Sequence, residues 1–243
     1  MLGGVRHLTT AFRAPAANAF LAVLVPLAVL TMVLPNHTIT SPGPVFNTPQ
    51  LVFVSVVALL LYGVFLYVQL VRHRADFVAD HELDDAPAHR PSRPVAMAAA
   101  GLLALALTLV ILLAKALSPA LEAGVAAMGA PPAFVGVAIA LLVLLPEGIT
   151  AVRAAMHNEL TTALNLALGS IAACIGLTIP AVAAVALWLG TPLHLGLDAS
   201  MTVLLATTFL LLAITLNTGR ATVLEGVVHL SVFAAFLMFS FLP

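Results

Sequence analysis

Long uninterrupted apolar runs, separated by short polar breaks, set the pattern of this chain. Seven of them reach the roughly 20 residues that a helix needs to cross a bilayer core: 15–35, 50–71, 94–116, 132–156, 160–189, 199–217 and 222–241. The runs are far too long for barrel strands, so each predicts a membrane-spanning helix, and the fold class is all-α and polytopic. Gly169 and Pro180 fall inside the fifth run and predict a kinked or broken helix there. Residues 117–131 keep apolar residues at helical spacing around Glu122 and predict a short half-helix extending the third span. The organisation expected is an N-terminal segment 1–71 with two spans, a polar loop 72–93, and a five-span membrane domain 94–243.

Composition agrees with a chain partly solvated by lipid. Of the 243 residues, 62% are hydrophobic and only 8% charged, against about a quarter charged in soluble domains. The net charge of −1 offers no basic surface for nucleic acid. The single cysteine, Cys174, leaves nothing for an internal disulfide. The first apolar run is too long for a signal-peptide core and reads as a retained anchor.

The nine basic residues orient the spans. Arg6 and Arg13 precede the first, Arg72, Arg74, Arg90 and Arg93 follow the second, Arg153 ends the fourth and Arg220 lies between the sixth and seventh. With seven crossings these fall on one side and only Lys115 on the other. The positive-inside rule then puts the N-terminus in the cytoplasm and the C-terminus outside. The loop 72–93 holds Asp76, Asp80, Glu82, Asp84, Asp85 and three histidines. It reads as a solvated linker or, more sharply, as a weak collector of divalent cations, although its spacing does not match an EF-hand.

Against this apolar background one segment stands out: 139–150, IALLVLLPEGIT. Glu147 lies nine residues from the inner end of its span, about 14 Å deep at 1.5 Å per residue. A charge at that depth costs a few kcal/mol. Pro146 removes a backbone donor and Gly148 loosens the turn, a combination that exposes carbonyl oxygens of the kind hard cations take. Glu147 is thus a candidate cation and proton site, or else a protonated glutamate bonded to a neighbouring helix. Thr150 shares its face at i+3. Asn165 and Ser170 on the fifth span bracket its depth, as co-ligands or as interhelical hydrogen-bonding groups, and Gly169 offers close helix approach. Glu225 and His229, at i and i+4 on the seventh span, are a candidate proton relay. Glu225 also lies near enough to the cytoplasmic end to snorkel or to pair with Arg220. No nucleophile–base or metalloprotease motif occurs, which argues against an enzyme, and no cofactor or nucleotide site is evident.

These residues carry a resemblance to the calcium/proton exchanger family of cation antiporters. The family's second repeat has a GNxxEH motif followed, 22 residues after its glutamate, by the glycine of a Gly-Ser pair. Glu147 and Gly169-Ser170 keep that spacing, and Pro180 falls where the family has a proline. GGVRH at 3–7, YGVFLYVQ at 62–69 and TGRATVLEGVVHL at 218–230 also match, so the likeness runs along nearly the whole chain. Where the motif has Gly-Asn and His, this chain has Val143, Leu144 and Gly148; the bacterial calcium (sodium, potassium)/proton branch itself reads Pro-Glu-Gly there. A family glutamine falls on Ala173 and is not carried over.

The resemblance implies the C-terminal part of an inverted-repeat fold in a bacterial inner membrane. It implies exchange of Ca²⁺, with Na⁺ or K⁺ as further cargo, for protons, and Glu147 as the metal-binding carboxylate. The first repeat and its glutamate have no counterpart here. A fragment is the expectation, with the missing half supplied by another polypeptide or a second copy as the alternative, and a non-transporting remnant or partner subunit as the rival function.

Overall fold

The computed structural model describes residues 10–39, 43–72, 77 and 92–242. The elements follow the apolar runs. A two-residue strand β1 (Thr10–Ala11) leads into helix α1 (Ala14–Ala28), which passes through a π-helical turn at Val29–Val33 and a 3-10 turn at Leu34–His37. Helix α2 (Thr48–Tyr67) ends in a second π turn, Val68–Arg72. Helices α3 (Arg93–Ala127), α4 (Ala133–Met156) and α5 (Leu160–Ala173) follow. A third π turn at Cys174–Thr178 joins α5 to α6 (Ile179–Leu189). Helix α7 (Ala199–Asn217), strand β2 (Arg220–Ala221) and helix α8 (Val223–Phe241) complete the chain.

Among the described residues, seven helical stretches are long and apolar enough to cross a membrane, matching the seven expected runs. The half-helix expected over 117–131 is the continuation of α3, which runs unbroken through Pro119 to Ala127. At 35 residues it is about 52 Å long, well beyond a hydrocarbon core of about 30 Å. The break expected in the fifth span is present as the π turn between Gly169 and Pro180. A proline at the start of α6 has no N–H to give the preceding turn, and the wider turn accommodates that loss.

Two compact units emerge: the chain up to residue 80 with 147–236, and 81–146 with 237–243. They do not follow the linear division 1–71, 72–93 and 94–243, because side-chain packing joins α1 and α2 to α5, α6 and α7. In the first unit α1 is the central element. Phe20, Leu24, Leu27 and Thr31 are essentially inaccessible. The Thr31 hydroxyl donates to the Leu27 carbonyl one turn back, so its own buried donor is satisfied. The Phe20 ring meets Phe65 of α2 at 4.8 Å and Phe77 at 5.6 Å, edge to face in the second case. Phe77 lies in the acidic loop expected over 72–93. The rest of that loop, from 73 to 76 and from 78 to 91, lies outside the described residues, as does the matched stretch 3–7.

Both ends of the α1–α7 pair are tied by backbone bonds. At one end β1 pairs antiparallel with β2, Thr10 opposite Ala221 and Ala11 opposite Arg220, and the Phe12 amide donates to the Gly219 carbonyl. At the other end the Leu197 amide donates to the Met32 carbonyl, and the Asn36 side-chain amide donates to the Leu197 carbonyl. Exposed positions of the helices carry aliphatic side chains such as Leu60, Val185 and Leu210.

Candidate cation and proton site

Helices α4 and α5 form a hairpin through a three-residue turn, His157 to Glu159. Asn158 takes a left-handed conformation, φ 65°. The Glu159 amide reaches back to the Ala154 carbonyl and the Asn158 amide to Ala155, the two bonds that satisfy the carbonyls at a helix end. Asparagine tolerates this conformation better than most residues, which is why the turn can be this short. Glu147 lies nine residues before the end of α4 and Ser170 ten after the start of α5, about 14 and 15 Å from the turn. Near-equal arms bring the two to one level.

They meet there. The Ser170 hydroxyl donates to Oε2 of Glu147 at 2.7 Å, and both residues are half-buried. That is an ordinary length for a hydroxyl-to-oxygen hydrogen bond. Oε1 carries no further hydrogen bond among the described residues. A serine hydroxyl is both donor and acceptor. It can therefore donate to the carboxylate when ionised and accept from the carboxylic acid when protonated, or turn its lone pairs toward a cation beside the carboxylate.

The other expected residues divide. Thr150 is on α4 one turn beyond Glu147 and is exposed. Asn165 is on α5, one turn nearer the hairpin than Ser170, and its amide nitrogen donates to the Phe77 carbonyl. Its Oδ1 is the end of a kind that a cation takes. The helix is continuous through Pro146-Glu147-Gly148, so the loosened turn expected at this point does not interrupt it. Loss of one amide is too small a perturbation to interrupt a run that is helical on both sides. The Gly169 position is also less tight than expected: a Cβ there would lie 3.7 Å from the Phe20 ring, an ordinary contact.

Glu225 and His229 belong to a different arrangement. Oε2 of Glu225 accepts from the Thr222 amide at 2.7 Å and from its hydroxyl at 3.1 Å, while the Glu225 amide donates to the Thr222 hydroxyl. This is a capping box, Thr at the N-cap and Glu three residues later. The His229 ring meets Glu225 through the backbone: Nδ1 lies 2.8 Å from the Glu225 carbonyl.

Two residues of this unit escape a sequence reading. Phe77 is one, an aromatic inside an acidic stretch whose ring and carbonyl are both used. Gly176 is the other. A Cβ on it would lie 2.7 Å from Cβ and 2.8 Å from Cγ of Tyr62, so only glycine lets the π turn approach α2 so closely. Isolated Phe in ADFVAD and the small residue four before Pro180 were the available signals. Among the described residues no three His, Cys, Asp or Glu side chains gather into a metal-holding group.

Helices long and apolar enough to cross a membrane, one of them carrying a hydrogen-bonded carboxylate, define a polytopic membrane protein. The family model for sodium/calcium exchanger proteins matches residues 98–242, which include every element of this site, and the chain belongs to that family. It is a transport family, not an enzyme family. The chain is 49% identical over its whole length to a Sinorhizobium fredii (strain NBRC 101917 / NGR234) protein named "Putative ionic transporter y4hA". It is 37% identical over 98% of its length to the sodium-potassium/proton antiporter ChaA of Escherichia coli (strain K12). It spans about two thirds of the length of these relatives, 66% and 65%. A solved structure, that of native YfkE, superposes on the whole chain with a TM-score of 0.71 at 18% identity, covering 68% of that protein. This last likeness supports the fold.

Proposed function

We propose that this chain carries the second-repeat ion site of a cation/proton antiporter, exchanging Ca²⁺, or Na⁺ or K⁺, for protons, with Glu147 as the shared carrier. One observation carries the reading: the Ser170 hydroxyl on the Glu147 carboxylate, placed level on two spanning helices. An ionised carboxylate attracts a cation, and a bound cation in turn disfavours the proton. The two loads compete for one group, so arrival of one expels the other. Ca²⁺ takes six to eight oxygens. Ser170 and Oδ1 of Asn165 can supply part of such a shell, with Thr150 one turn away, and water or other polypeptide segments the remainder.

Glu225 and His229 draw less support as a relay. The capping box engages the Glu225 carboxylate, and a backbone carbonyl cannot pass the His229 proton onward. We assign the exchange step to Glu147 for that reason. Arg13, Arg153 and Arg220 support a cytoplasmic N-terminus, because the strand pairing and the α4–α5 turn place all three at the start or end of helices that meet at one face. Lipid, inorganic cations and protons are the partners this reading needs.

The test is Glu147→Gln. Everted vesicles from cells expressing the protein should lose cation-driven proton movement, measured with a ΔpH dye, while the variant still inserts at the wild-type level. Exchange at the wild-type rate would overturn the assignment.

A further inference from the structure

Phe77 is out of character with its place in the sequence. It lies in the polar loop 72–93, next to Asp76 and three residues before Asp80, yet it is only 8% exposed. Its ring joins an aromatic cluster, with Phe20 of α1 at 5.6 Å and Phe65 of α2 at 6.1 Å, both nearly perpendicular. Edge-to-face pairs of this kind add to the gain from burying the rings. Its carbonyl accepts from the Asn165 side-chain amide on α5. One residue beyond the end of α2 thus engages three helices.

The consequence falls on α5. Asn165 and Gly169 are four residues apart and share a face of that helix. Phe77 holds the first through its carbonyl. Phe20, whose ring meets Phe77, lies against the second, since a Cβ on Gly169 would stand 3.7 Å from it. Ser170 comes next in the chain, turned about 100° from Gly169, and its hydroxyl donates to Glu147 of α4 at 2.7 Å. Helix α5 is therefore held on one face by Phe77 and Phe20 and presents Ser170 on another. Leu168 and Ala172 pack in the same core, but apolar contact has no direction and lets a helix roll. A hydrogen bond has direction, so the Asn165–Phe77 bond fixes the rotation of the helix.

We propose that Phe77 is a positioning residue for the ion site: seated among α1, α2 and α5, it fixes the rotation of α5 at which the Ser170 hydroxyl reaches the Glu147 carboxylate. The proposal rests on the reading of Glu147 as the shared carrier and adds a residue of the acidic loop to what builds that carrier. Phe77 acts through Ser170.

The first measurement needs no transport. In membranes holding the full chain with Cys174→Ala, Glu147→Cys and Ser170→Cys are joined by a short bis-methanethiosulfonate, and the joined product is followed by mass at equal amounts of inserted protein. Adding Phe77→Ala should slow the joining several-fold. Asn165→Leu, which removes the amide and leaves the ring in its seat, should slow it too, whereas Phe77→Leu, which keeps an apolar side chain and the carbonyl, should stay near the parent rate. The second measurement is exchange in everted vesicles. Phe77→Ala should weaken apparent cation affinity by up to the roughly tenfold worth of the Ser170 hydrogen bond, with the maximal rate changed less. Phe77→Ala combined with Ser170→Ala should be no weaker than Ser170→Ala alone, because residues that act through one contact are not additive. A residue that only fills the core would lower the amount inserted and leave affinity alone. Unchanged joining in both Phe77→Ala and Asn165→Leu, or losses that add in the double variant, would overturn the proposal. Full exchange in Glu147→Gln would overturn the carrier reading instead, and the joining rates would still decide the role of Phe77.

Discussion

Replacing Gly176 with alanine separates two effects that usually oppose each other. Within a helix, Gly→Ala stabilises by up to about 1 kcal/mol, because alanine loses less backbone freedom on folding. At Gly176 the added methyl would meet Cβ of Tyr62 at 2.7 Å, Cγ at 2.8 Å and Cδ2 at 3.2 Å. Carbon atoms pack at about 3.5–4.0 Å. The nearest of these atoms, Cβ, is fixed by the backbone, so no rotamer change relieves that contact, and Tyr62 is only 9% exposed. Overpacking of this kind costs about 1–3 kcal/mol. The net expectation is a loss of about 1–2 kcal/mol, or a fall in Tm of roughly 2–8 °C by the scaling for chains of this size. Gly169→Ala is the control. Its methyl finds the Phe20 ring at 3.7 Å, so the helix term acts alone and stability holds or rises. Thermal unfolding in detergent, followed by the loss of monodisperse protein on size exclusion, compares the two. If Gly176→Ala proved as stable as Gly169→Ala, the close approach of the π turn to α2 would be refuted.

Three further outcomes follow from contacts already described. Ser170→Ala removes the hydroxyl from Glu147 and should weaken cation-dependent exchange about tenfold, the effect of a hydrogen bond to a charged group, while Ser170→Thr retains most of it; vesicle assays over a cation series would show this. Thr222→Ala breaks the capping box and should lower stability by about 1 kcal/mol, seen as a reduced unfolding temperature. Asn158→Val puts a β-branched residue at φ 65° and should destabilise the α4–α5 turn by about 1–2 kcal/mol, whereas Asn158→Gly should be close to neutral.

The seven spans were legible because length and composition alone identify them; neither depends on which face meets which. Faces were not legible. Helices α2 and α7 are apolar all round, so no stripe marks the side that packs, and the centrality of α1 could not be read from an N-terminal apolar run. The level match of Glu147 with Ser170 was legible, since it needs only counting from a short turn. Asn165 lies nearer the α4–α5 turn than Glu147 and Ser170, and its amide goes to Phe77, a residue 88 positions away whose approach no spacing predicts. Proline gave mixed guidance. Pro180 does coincide with a wider turn, while Pro146 lies inside an unbroken helix, and local sequence does not distinguish a missing amide that neighbours absorb from one that reshapes the backbone. Thr222-Val-Leu-Glu225 spelled out a capping box; the depth of a glutamate in a span drew attention to its charge instead of its helix position.

The stapling of α1 to α7 at both rims limits how this pair can move. A piston-like slip of one past the other would break the strand pairing at 10–11 with 220–221 and the Met32–Leu197 bond together, with nothing gained at either rim until a full repeat had passed. Tilting the two as one strut leaves every clasp intact. Held at both rims, the two helices form a single beam.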